Sequence, residues 1–332
     1  MINVAIVGLG WWGLNIANAL RDSEVVKVLQ GVDPDASSRE RAAAIGLDSV
    51  ADLTDVLERD DIDAVIICSP HRFHLDQMLA SAAAGKHIFC EKPFSTKAAD
   101  AVVALEAAEA AQVRVGIGHE RRFEPAMIEL QNLCASGALG KILAFEGNFS
   151  QDKFLALDPT NWRLSPIEAP VGPLSATGIH LVDLAISIFG DPKEVWANLS
   201  TQATTFANGD TLSVTLTFDE GRTAVITAIL TTPFIGRVAV YGSTGWIEIR
   251  DRSHPEESRG WDVTVSMRGE EPKTHFMPPY QTVKRNIESW ASSITGDEIY
   301  PVSHDEIRAN VRAFEAISRS ALENRVVSTG AM

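Results

Sequence analysis

Short apolar runs alternate with amphipathic stretches over the first part of the chain. The apolar runs are rich in β-branched residues and lie at residues 2–7, 25–32, 63–68, 86–90 and 113–118. The stretches between them, among them residues 36–46, 74–85 and 98–111, have the composition of helices. Strands that alternate with helices predict a parallel sheet covered on both faces, whose strands are almost continuously apolar. We therefore predict a doubly wound α/β domain over residues 1–122.

The pattern changes after residue 122, where strands follow one another closely. They are predicted at residues 141–150, 211–218, 222–232, 237–242, 245–250 and 261–268, and helices at residues 176–189, 280–294 and 305–322. In residues 211–218, Leu212, Val214 and Leu216 alternate with polar residues. This period indicates a sheet with one covered face and one more polar face. We predict an α+β domain over residues 123–332 with a large, mostly antiparallel open sheet, a surface through which we expect a homo-oligomer, a dimer or a tetramer.

The turn after the first strand has the sequence GLGWWG and predicts a dinucleotide site. Its residues Gly8, Gly10, Trp11, Trp12 and Gly13 match the GxGxxG pattern directly before a helix. Glycines there permit a tight turn and the approach of a pyrophosphate to the helix N-terminus. Asp33 follows at the tip of the second strand, where an acid hydrogen-bonds ribose hydroxyls and repels a 2′-phosphate. This favours NAD, although Arg39, a few residues further, would be able to neutralise such a phosphate and admit NADP.

Polar residues also follow three other predicted strands. They are Ser69-Pro70-His71, Glu91-Lys92-Pro93 and His119-Glu120. Ligands of open α/β sheets bind outside the carboxyl ends of the strands, so these tips are expected to line one crevice. A lysine that is partly desolvated there would have a lowered pKa and would exchange a proton with a hydroxyl. The alternative is that Lys92 pairs with an acid in a structural turn.

Charge and composition narrow the class of partner. The 332 residues carry a net charge of −15, with 45% hydrophobic and 22% charged residues. This composition is typical of a globular protein, and the acidic balance disfavours nucleic acid and anionic membranes. The three cysteines, Cys68, Cys90 and Cys134, form no CxxC pair, so neither a disulfide framework nor a zinc site is expected. His71 and His74 have metal-ligand spacing without an evident third ligand, and we expect a metal-free cytoplasmic protein.

Five segments together resemble the Gfo/Idh/MocA oxidoreductases, the family of glucose–fructose oxidoreductase and inositol dehydrogenase. They are GLGWWG (8–13), AGKHIFCEKP (84–93), GHERRFEP (118–125), NWR (161–163) and GIHLVD (178–183), in the family's order. The resemblance covers essentially the whole chain, and EKP is its most specific part. It implies that an N-terminal Rossmann domain binds NAD or NADP. It also implies that the second domain binds a sugar, cyclitol or related polyol.

The resemblance also assigns roles to individual residues. It implies that Lys92 and His180 are catalytic, that Glu91 lies near the cofactor, and that Pro93 fixes the turn, with a cis bond as one option. Ser69, Pro70 and His74 are further expected cofactor-binding residues, and Glu91 and Lys92 are expected to contact the cofactor as well. His119, Arg163 and Thr177 join Lys92 and His180 as the expected substrate-binding residues. For His74 a surface role and for Arg163 a role in holding its loop remain alternatives, and Cys90 is expected to be buried and inert.

The chain departs from the family at one catalytic position. The family commonly has an aspartate four residues before the histidine, and here that residue is Ala176. In a helix, residues 176, 180 and 183 share a face, so Asp183 would be able either to orient His180 or to anchor the helix. The histidine itself is either catalytic or a buried core residue.

Three functions are therefore open. The leading prediction is an NAD(P)-dependent dehydrogenase that acts on a secondary alcohol. The second is a glycosidase that uses tightly held NAD for a transient oxidation. The third is a non-catalytic nucleotide-binding sensor or scaffold, which would need the glycines and Asp33 but not Lys92.

Overall fold

Residues 1–331 are described by a computed structural model of the chain. The strands are β1 (Ile2–Val7), β2 (Val26–Val32), β3 (Ser49–Val50), β4 (Ala64–Ile67), β5 (His87–Cys90), β6 (Val115–Ile117), β7 (Ile142–Ser150), β8 (Glu194–Ser200), β9 (Thr211–Thr217), β10 (Thr223–Ile229), β11 (Ile235–Gly242), β12 (Gly245–Asp251), β13 (Trp261–Met267), β14 (Lys273–Met277) and β15 (Val327–Ser328). The α-helices are α1 (Trp11–Ala19), α2 (Ala36–Ala44), α3 (Thr54–Leu57), α4 (His74–Ala83), α5 (Ala98–Ala110), α6 (Pro125–Ala135), α7 (Ile179–Phe189), α8 (Thr282–Thr295) and α9 (His304–Glu323).

The first compact unit contains residues 1–120 and 281–308. Its six-stranded sheet has the order β3-β2-β1-β4-β5-β6, and every pair is parallel. The chain order reverses between β1 and β4, which is the switch point where doubly wound sheets bind their ligands. The predicted Rossmann-type fold is confirmed. The short strand β3 and the short helix α3 were not predicted.

Continuous burial explains why the central strands are apolar throughout. All four residues of β4 are fully buried, and β1 is buried except at Asn3. Each large apolar side chain buried in this way contributes about 1.5–3 kcal/mol. Helices cover both faces of the sheet, as parallel strands require.

Helix α8 packs in the first unit although in sequence it lies between the two segments of the second unit. Trp290 is fully buried, and its ring lies edge-on to Phe89, with the ring centroids 5.5 Å apart. A Cβ atom at Gly116 would lie 2.6 Å from the same ring, so this glycine makes room for the indole. The Asn286 amide donates to the carbonyl oxygen of Ile117 over 2.9 Å. The structure thus differs from the contiguous division at residue 122, because the apolar face of α8 completes the core of the first unit.

The second compact unit contains residues 121–280 and the chain from residue 309. Its nine-stranded sheet has the order β14-β13-β12-β11-β7-β10-β9-β8-β15. All pairs are antiparallel except β7 with β10. The predicted, mostly antiparallel sheet is confirmed, whereas β8, β14 and β15 were not predicted.

The two faces of this sheet differ as the alternation in β9 predicts. Leu212, Val214 and Leu216 are buried against a core that also contains α7 and part of α6 and α9. The residues between them are only half-buried and lie on the open face. Helix α7 is buried almost all round, which explains its nearly continuous apolar sequence.

Candidate functional site

The glycine turn has the geometry that a bound pyrophosphate requires. Gly8 has φ +96°, and a Cβ atom there would lie 2.7 Å from the backbone nitrogen of Ser69. A Cβ atom at Gly13 would lie 2.0 Å from the carbonyl oxygen of Gly8, so α1 packs directly on the turn. At Gly10, by contrast, a Cβ atom would meet nothing within 4 Å, and no side chain caps α1 there. The turn therefore fits a phosphate group, because the helix N-terminus faces open space.

Asp33 lies beside this turn at the end of β2. One carboxylate oxygen accepts the backbone N–H of Leu9 over 2.8 Å, and the other accepts that of Asp35 over 2.9 Å. Each oxygen retains a lone pair for a ribose hydroxyl. The Nη1 atom of Arg39 donates to the carbonyl oxygens of Asp33 and Pro34, over 2.7 and 2.9 Å. The acid and the arginine predicted to oppose each other in cofactor choice thus stand at the same tip.

His74 ties the tips of β4 and β5 together. Its ring is 1% exposed, with Nε2 2.9 Å from the carbonyl oxygen of Ser69 and Nδ1 3.0 Å from that of Pro93. Burial lowers the pKa of His74, and the carbonyl oxygens partly offset this by favouring the charged ring. Because both nitrogens face backbone oxygens, the ring positions two turns and does not offer a nitrogen to a ligand. This supports a positioning role for His74 in place of the direct cofactor contact predicted above.

Glu91 and Lys92 follow β5, and the Lys92–Pro93 peptide bond is cis. Burial raises the pKa of Glu91, while the Trp12 indole and the Lys92 ammonium act in the opposite direction. The Glu91 carboxyl rests against Gly118, where a Cβ atom would lie 2.5 Å from both oxygens. Lys92 remains partly exposed. Gly118 was not predicted as a site residue, and its signal in the sequence is a glycine directly after a strand, β6.

The contacts at the strand tips form one continuous row. Asp33 bonds to Leu9, Gly8 touches Ser69, and His74 connects the turn at Ser69 to the turn that carries Glu91. The row ends at the β6 tip, where His119 is 1% exposed. Ser69 also donates its hydroxyl hydrogen to Gln77 over 2.6 Å. These strand tips therefore lie beside one another in the first unit, and the crevice that they are expected to line stays a prediction.

His180 lies on α7 in the second unit and is 4% exposed. The helix is preceded by a π-helical turn, Leu174–Gly178, a feature that often marks functional sites. Within this turn Ala176 alone is partly exposed. The Phe149 ring lies 6.0 Å from the His180 ring, centroid to centroid. Phe149, which the sequence analysis did not single out, packs beside the predicted catalytic histidine.

Asp183 forms a buried ion pair with Arg122. The Nε and Nη2 atoms of Arg122 each donate to a different carboxylate oxygen over 2.7 Å. Both side chains are at most 3% exposed. Removing one member of such a pair typically costs about 3–5 kcal/mol, because the other charge is left buried. Asp183 is thus an anchor of α7, and Arg122 is held by a pair within the second unit.

Thr177 and Arg163, the other predicted substrate-binding residues, differ in how their polar groups are used. The Thr177 hydroxyl donates to the carbonyl oxygen of Phe149 over 2.7 Å and is 1% exposed. It therefore holds the π-helical turn on β7. The Arg163 guanidinium instead stacks on Trp162, with Cζ 4.3 Å from the ring centroid. Its charged group is the more available of the two for a ligand.

Other chemical features add little to the site. Within residues 1–331, no group of three or more histidines, cysteines, aspartates and glutamates is placed to hold a metal ion. No helix in that range has the length and apolar character needed to cross a membrane. Cys68, Cys90 and Cys134 are free thiols, and burial raises the pKa of Cys90 well above its usual value.

Comparison with known proteins identifies both units. Residues 2–119 match the family described as "Oxidoreductase family, NAD-binding Rossmann fold", and residues 127–248 match "GFO/IDH/MocA C-terminal domain". The uncharacterized oxidoreductase YrbE of Bacillus subtilis is 29% identical over 273 residues, which cover 78% of this chain and 76% of YrbE. The scyllo-inositol 2-dehydrogenase (NADP(+)) IolW of Bacillus subtilis is 25% identical over 299 residues, 84% of this chain and 82% of the relative. Two other curated relatives are matched over 44% and 54% of their own length.

A solved structure extends the likeness to the whole chain. The aldose-aldose oxidoreductase of Caulobacter crescentus, crystallised with glycerol, is 26% identical and superposes with a TM-score of 0.86. The superposition covers 98% of this chain and 99% of that protein. Both the glycine turn and the second-unit sheet lie in the matched regions. The chain belongs to the Gfo/Idh/MocA family of NAD(P)-binding oxidoreductases.

Proposed function

We propose that the protein is an NAD-dependent dehydrogenase that interconverts a secondary alcohol and a ketone of a sugar, cyclitol or related polyol. The observation that carries this proposal is the turn after β5. There, Lys92 remains partly exposed beside a buried acid for which Gly118 makes room. A protein that only binds a nucleotide needs the glycine turn and Asp33, but has no use for this lysine.

The cofactor fits the residues of the first unit. Gly8, Gly10 and Gly13 would hold the pyrophosphate at the start of α1, and Asp33 would bind the adenosine ribose. The carboxylate favours NAD because a 2′-phosphate would meet a like charge. When bound, the nicotinamide supplies the two-electron acceptor or donor for the reacting carbon.

The protein's own residues would handle the proton. Lys92 would take the proton of the substrate hydroxyl at Nζ in the oxidative direction and return it in the reductive one. By the family resemblance, His180 would be a hydrogen-bonding group for a substrate hydroxyl. Because Ala176 replaces the family's usual aspartate, proton exchange here rests on Lys92 and His180 without that acid.

We also propose a cytoplasmic homo-oligomer. The three free thiols fit a reducing compartment. The open face of the nine-stranded sheet carries Trp196, Val225 and Ile235, which are 39 to 46% exposed. Apolar residues at this exposure on a wide sheet are typical of a surface that pairs with a second copy.

Lys92→Met tests the enzymatic proposal most directly. The change removes the proton-exchanging group but keeps the aliphatic stem, so NADH binding should change little. Turnover on any polyol found by following NADH formation should fall by about 10²- to 10⁴-fold. Normal turnover by this variant would remove the catalytic role of Lys92.

The same assays separate the two alternatives. Net NADH release from a polyol excludes the glycosidase, which would instead turn over a glycoside without added NAD. Saturable NADH binding with no turnover on either class of compound would favour the sensor.

A further inference from the structure

The Arg163 guanidinium carries a positive charge that no acidic side chain within residues 1–331 neutralises by an ion pair. The guanidinium is partly buried against the Trp162 ring, and this burial lowers the pKa of Arg163. Among the described residues, 1–331, no carboxylate forms an ion pair or a hydrogen bond with this guanidinium. A desolvated charge is normally paired, so an uncompensated one indicates a group that arrives with a ligand.

The backbone that carries Arg163 is fixed on both sides. Its N–H donates to the Asn161 side chain over 3.0 Å, and its carbonyl oxygen accepts the Asn208 amide over 2.8 Å. The side-chain amide of Asn208 also donates to the carbonyl oxygen of Ala169. The backbone carbonyl oxygen of Asn208 accepts the N–H of Gly172 over 2.7 Å. The loop is thus built around Asn208, and the Arg163 guanidinium takes no part in these hydrogen bonds.

This loop continues directly into the π-helical turn before His180. Ser175 donates its hydroxyl hydrogen to Pro170, and Thr177 holds the turn on Phe149. Ala176, partly exposed in this turn, stands where the family commonly has an aspartate. An aspartate there would repel an anionic substrate, and alanine removes that repulsion.

We infer that the substrate is a polyhydroxy carboxylate, such as an aldonate or a uronate, whose carboxylate is bound by Arg163. This inference rests on the proposed dehydrogenase function and narrows its substrate class. A planar guanidinium binds a carboxylate through two parallel hydrogen bonds, and the Trp162 ring holds the guanidinium plane in orientation. A neutral polyol would leave the charge of Arg163 uncompensated. A single guanidinium also matches one carboxylate better than the double charge of a phosphate ester.

The test compares pairs of compounds that differ at one carbon, which is a carboxylate in one member and a hydroxymethyl group in the other. Aldonates are measured beside the alditols of the same carbon skeleton, uronates beside the aldoses, and alditol phosphates form a third arm. Each is assayed for NADH formation with NAD and for its effect on the melting temperature of the NADH-loaded protein. The second readout detects binding without turnover. The variants are Arg163→Gln, Arg163→Lys and, as a control for general loss of charge, the exposed Arg325→Gln.

The expected result is a carboxylate preference that depends on Arg163. The carboxylate of a pair should be favoured in kcat/KM by roughly 10- to 100-fold, as a charge-assisted bidentate contact implies. Arg163→Gln should lower kcat/KM for the carboxylate more than for its neutral partner, so that the preference is lost, and it should abolish the carboxylate-dependent rise in melting temperature. Arg163→Lys should retain part of the carboxylate preference, and Arg325→Gln should show the same preference as the wild type.

Each contrary outcome has its own meaning. Equal or better turnover of neutral polyols, or an Arg163→Gln effect that is the same for both members of a pair, overturns the carboxylate inference and leaves the dehydrogenase standing. Stabilisation by carboxylates that needs Arg163, without oxidation of any compound, supports the anion site and overturns the dehydrogenase. A preference for the phosphate arm, or no effect of any carboxylate in either readout, overturns the inference.

Discussion

Asp33 is the residue at which cofactor choice is expected to be decided. Its carboxylate both receives the Leu9 N–H and stands where a 2′-phosphate would arrive. Asp33→Ala should weaken NADH binding by roughly 10- to 100-fold, the equivalent of about 1.5–3 kcal/mol for hydrogen bonds to a charged acceptor. NADPH binding should weaken less or improve, because the repulsion is removed. Parallel fluorescence titrations with the two nucleotides measure both effects.

Two further variants distinguish the effect of the Asp33 charge from the effect of its hydrogen bonds. Asp33→Asn keeps an oxygen for Leu9 but loses the charge and turns its NH2 group towards the Asp35 N–H. It should therefore raise NADPH affinity, with a modest loss of stability at the turn. Adding Arg39→Gln to Asp33→Asn should reverse that gain if Arg39 neutralises the 2′-phosphate. Unchanged affinities for both nucleotides in every variant would contradict the ribose assignment.

Gly118 is expected to position Glu91 through a steric contact. A methyl group at residue 118 would overlap both Glu91 oxygens, so Gly118→Ala should destabilise the protein by about 1–3 kcal/mol, as other overpacked sites do. NADH affinity should fall with it, because the displaced carboxyl lies beside Trp12 of the glycine turn. Thermal unfolding, with and without NADH, measures both.

A double variant provides the control for this contact. Glu91→Ala removes the carboxyl, so Gly118→Ala should cost much less in that background, and the difference is the coupling energy of the pair. Additive effects would show that the two residues do not compete for space.

At the scale of elements, the β8–β9 loop depends on one carboxylate. Burial alone would raise the pKa of Asp210, but N–H groups of Gln202 and Ala203 and the hydroxyls of Thr211 and Thr204 lower it to about 2. The folded pKa lies below the model-peptide value of 3.8, so this group stabilises the fold above that pH. The contribution, about 2 kcal/mol, is lost as the pH falls through about 2.

Asp210→Asn is the corresponding test. The side-chain amide would point a donor at N–H donors, so the variant should melt at a lower temperature at neutral pH. The gap to the wild type should narrow between about pH 4 and pH 2, where Asp210 becomes protonated. A gap that stays constant over that range would mean that the carboxylate charge does not hold the loop.

Elements with a strong pattern were predictable from sequence, and elements formed by context were not. β9 was predicted because its apolar residues alternate, and β4 because it is buried on both faces. β8 reads EVWANLS, and its exposed Trp196 breaks the alternation that would have revealed it. The π-helical turn before α7 depends on contacts such as Thr177 with Phe149, which no local pattern encodes.

The residues of the candidate site also fall into those that local sequence predicts and those that it does not. Glycines and strand tips were predictable because their chemistry is local to a short segment. The pairing of Asp183 with Arg122 joins residues 61 positions apart, and the contact of Gly118 with Glu91 needs the β5–β6 neighbourhood. Sequence spacing leaves Asp183 two roles, to orient His180 or to anchor the helix, and the bidentate pair with Arg122 supports the second.

At the scale of the whole molecule, the open face of the nine-stranded sheet governs assembly in our proposal. Val225 lies at its centre, between Thr215 on β9 and Glu146 on β7. Trp196, on the far side of Thr215, extends the apolar strip. Val225→Glu would place a second carboxylate beside Glu146, and burying that pair against a partner would be unfavourable.

We therefore expect Val225→Glu to shift the protein from an oligomer towards the monomer, as measured by size-exclusion chromatography with light scattering. Val103→Glu on α5 is the matched control, because Val103 is 48% exposed and Val225 is 46% exposed. The control should keep the wild-type mass, since α5 belongs to the first unit. An unchanged mass for Val225→Glu, or an equal loss in both variants, would place the subunit contact elsewhere. A wild-type protein that is already monomeric would refute the oligomer itself.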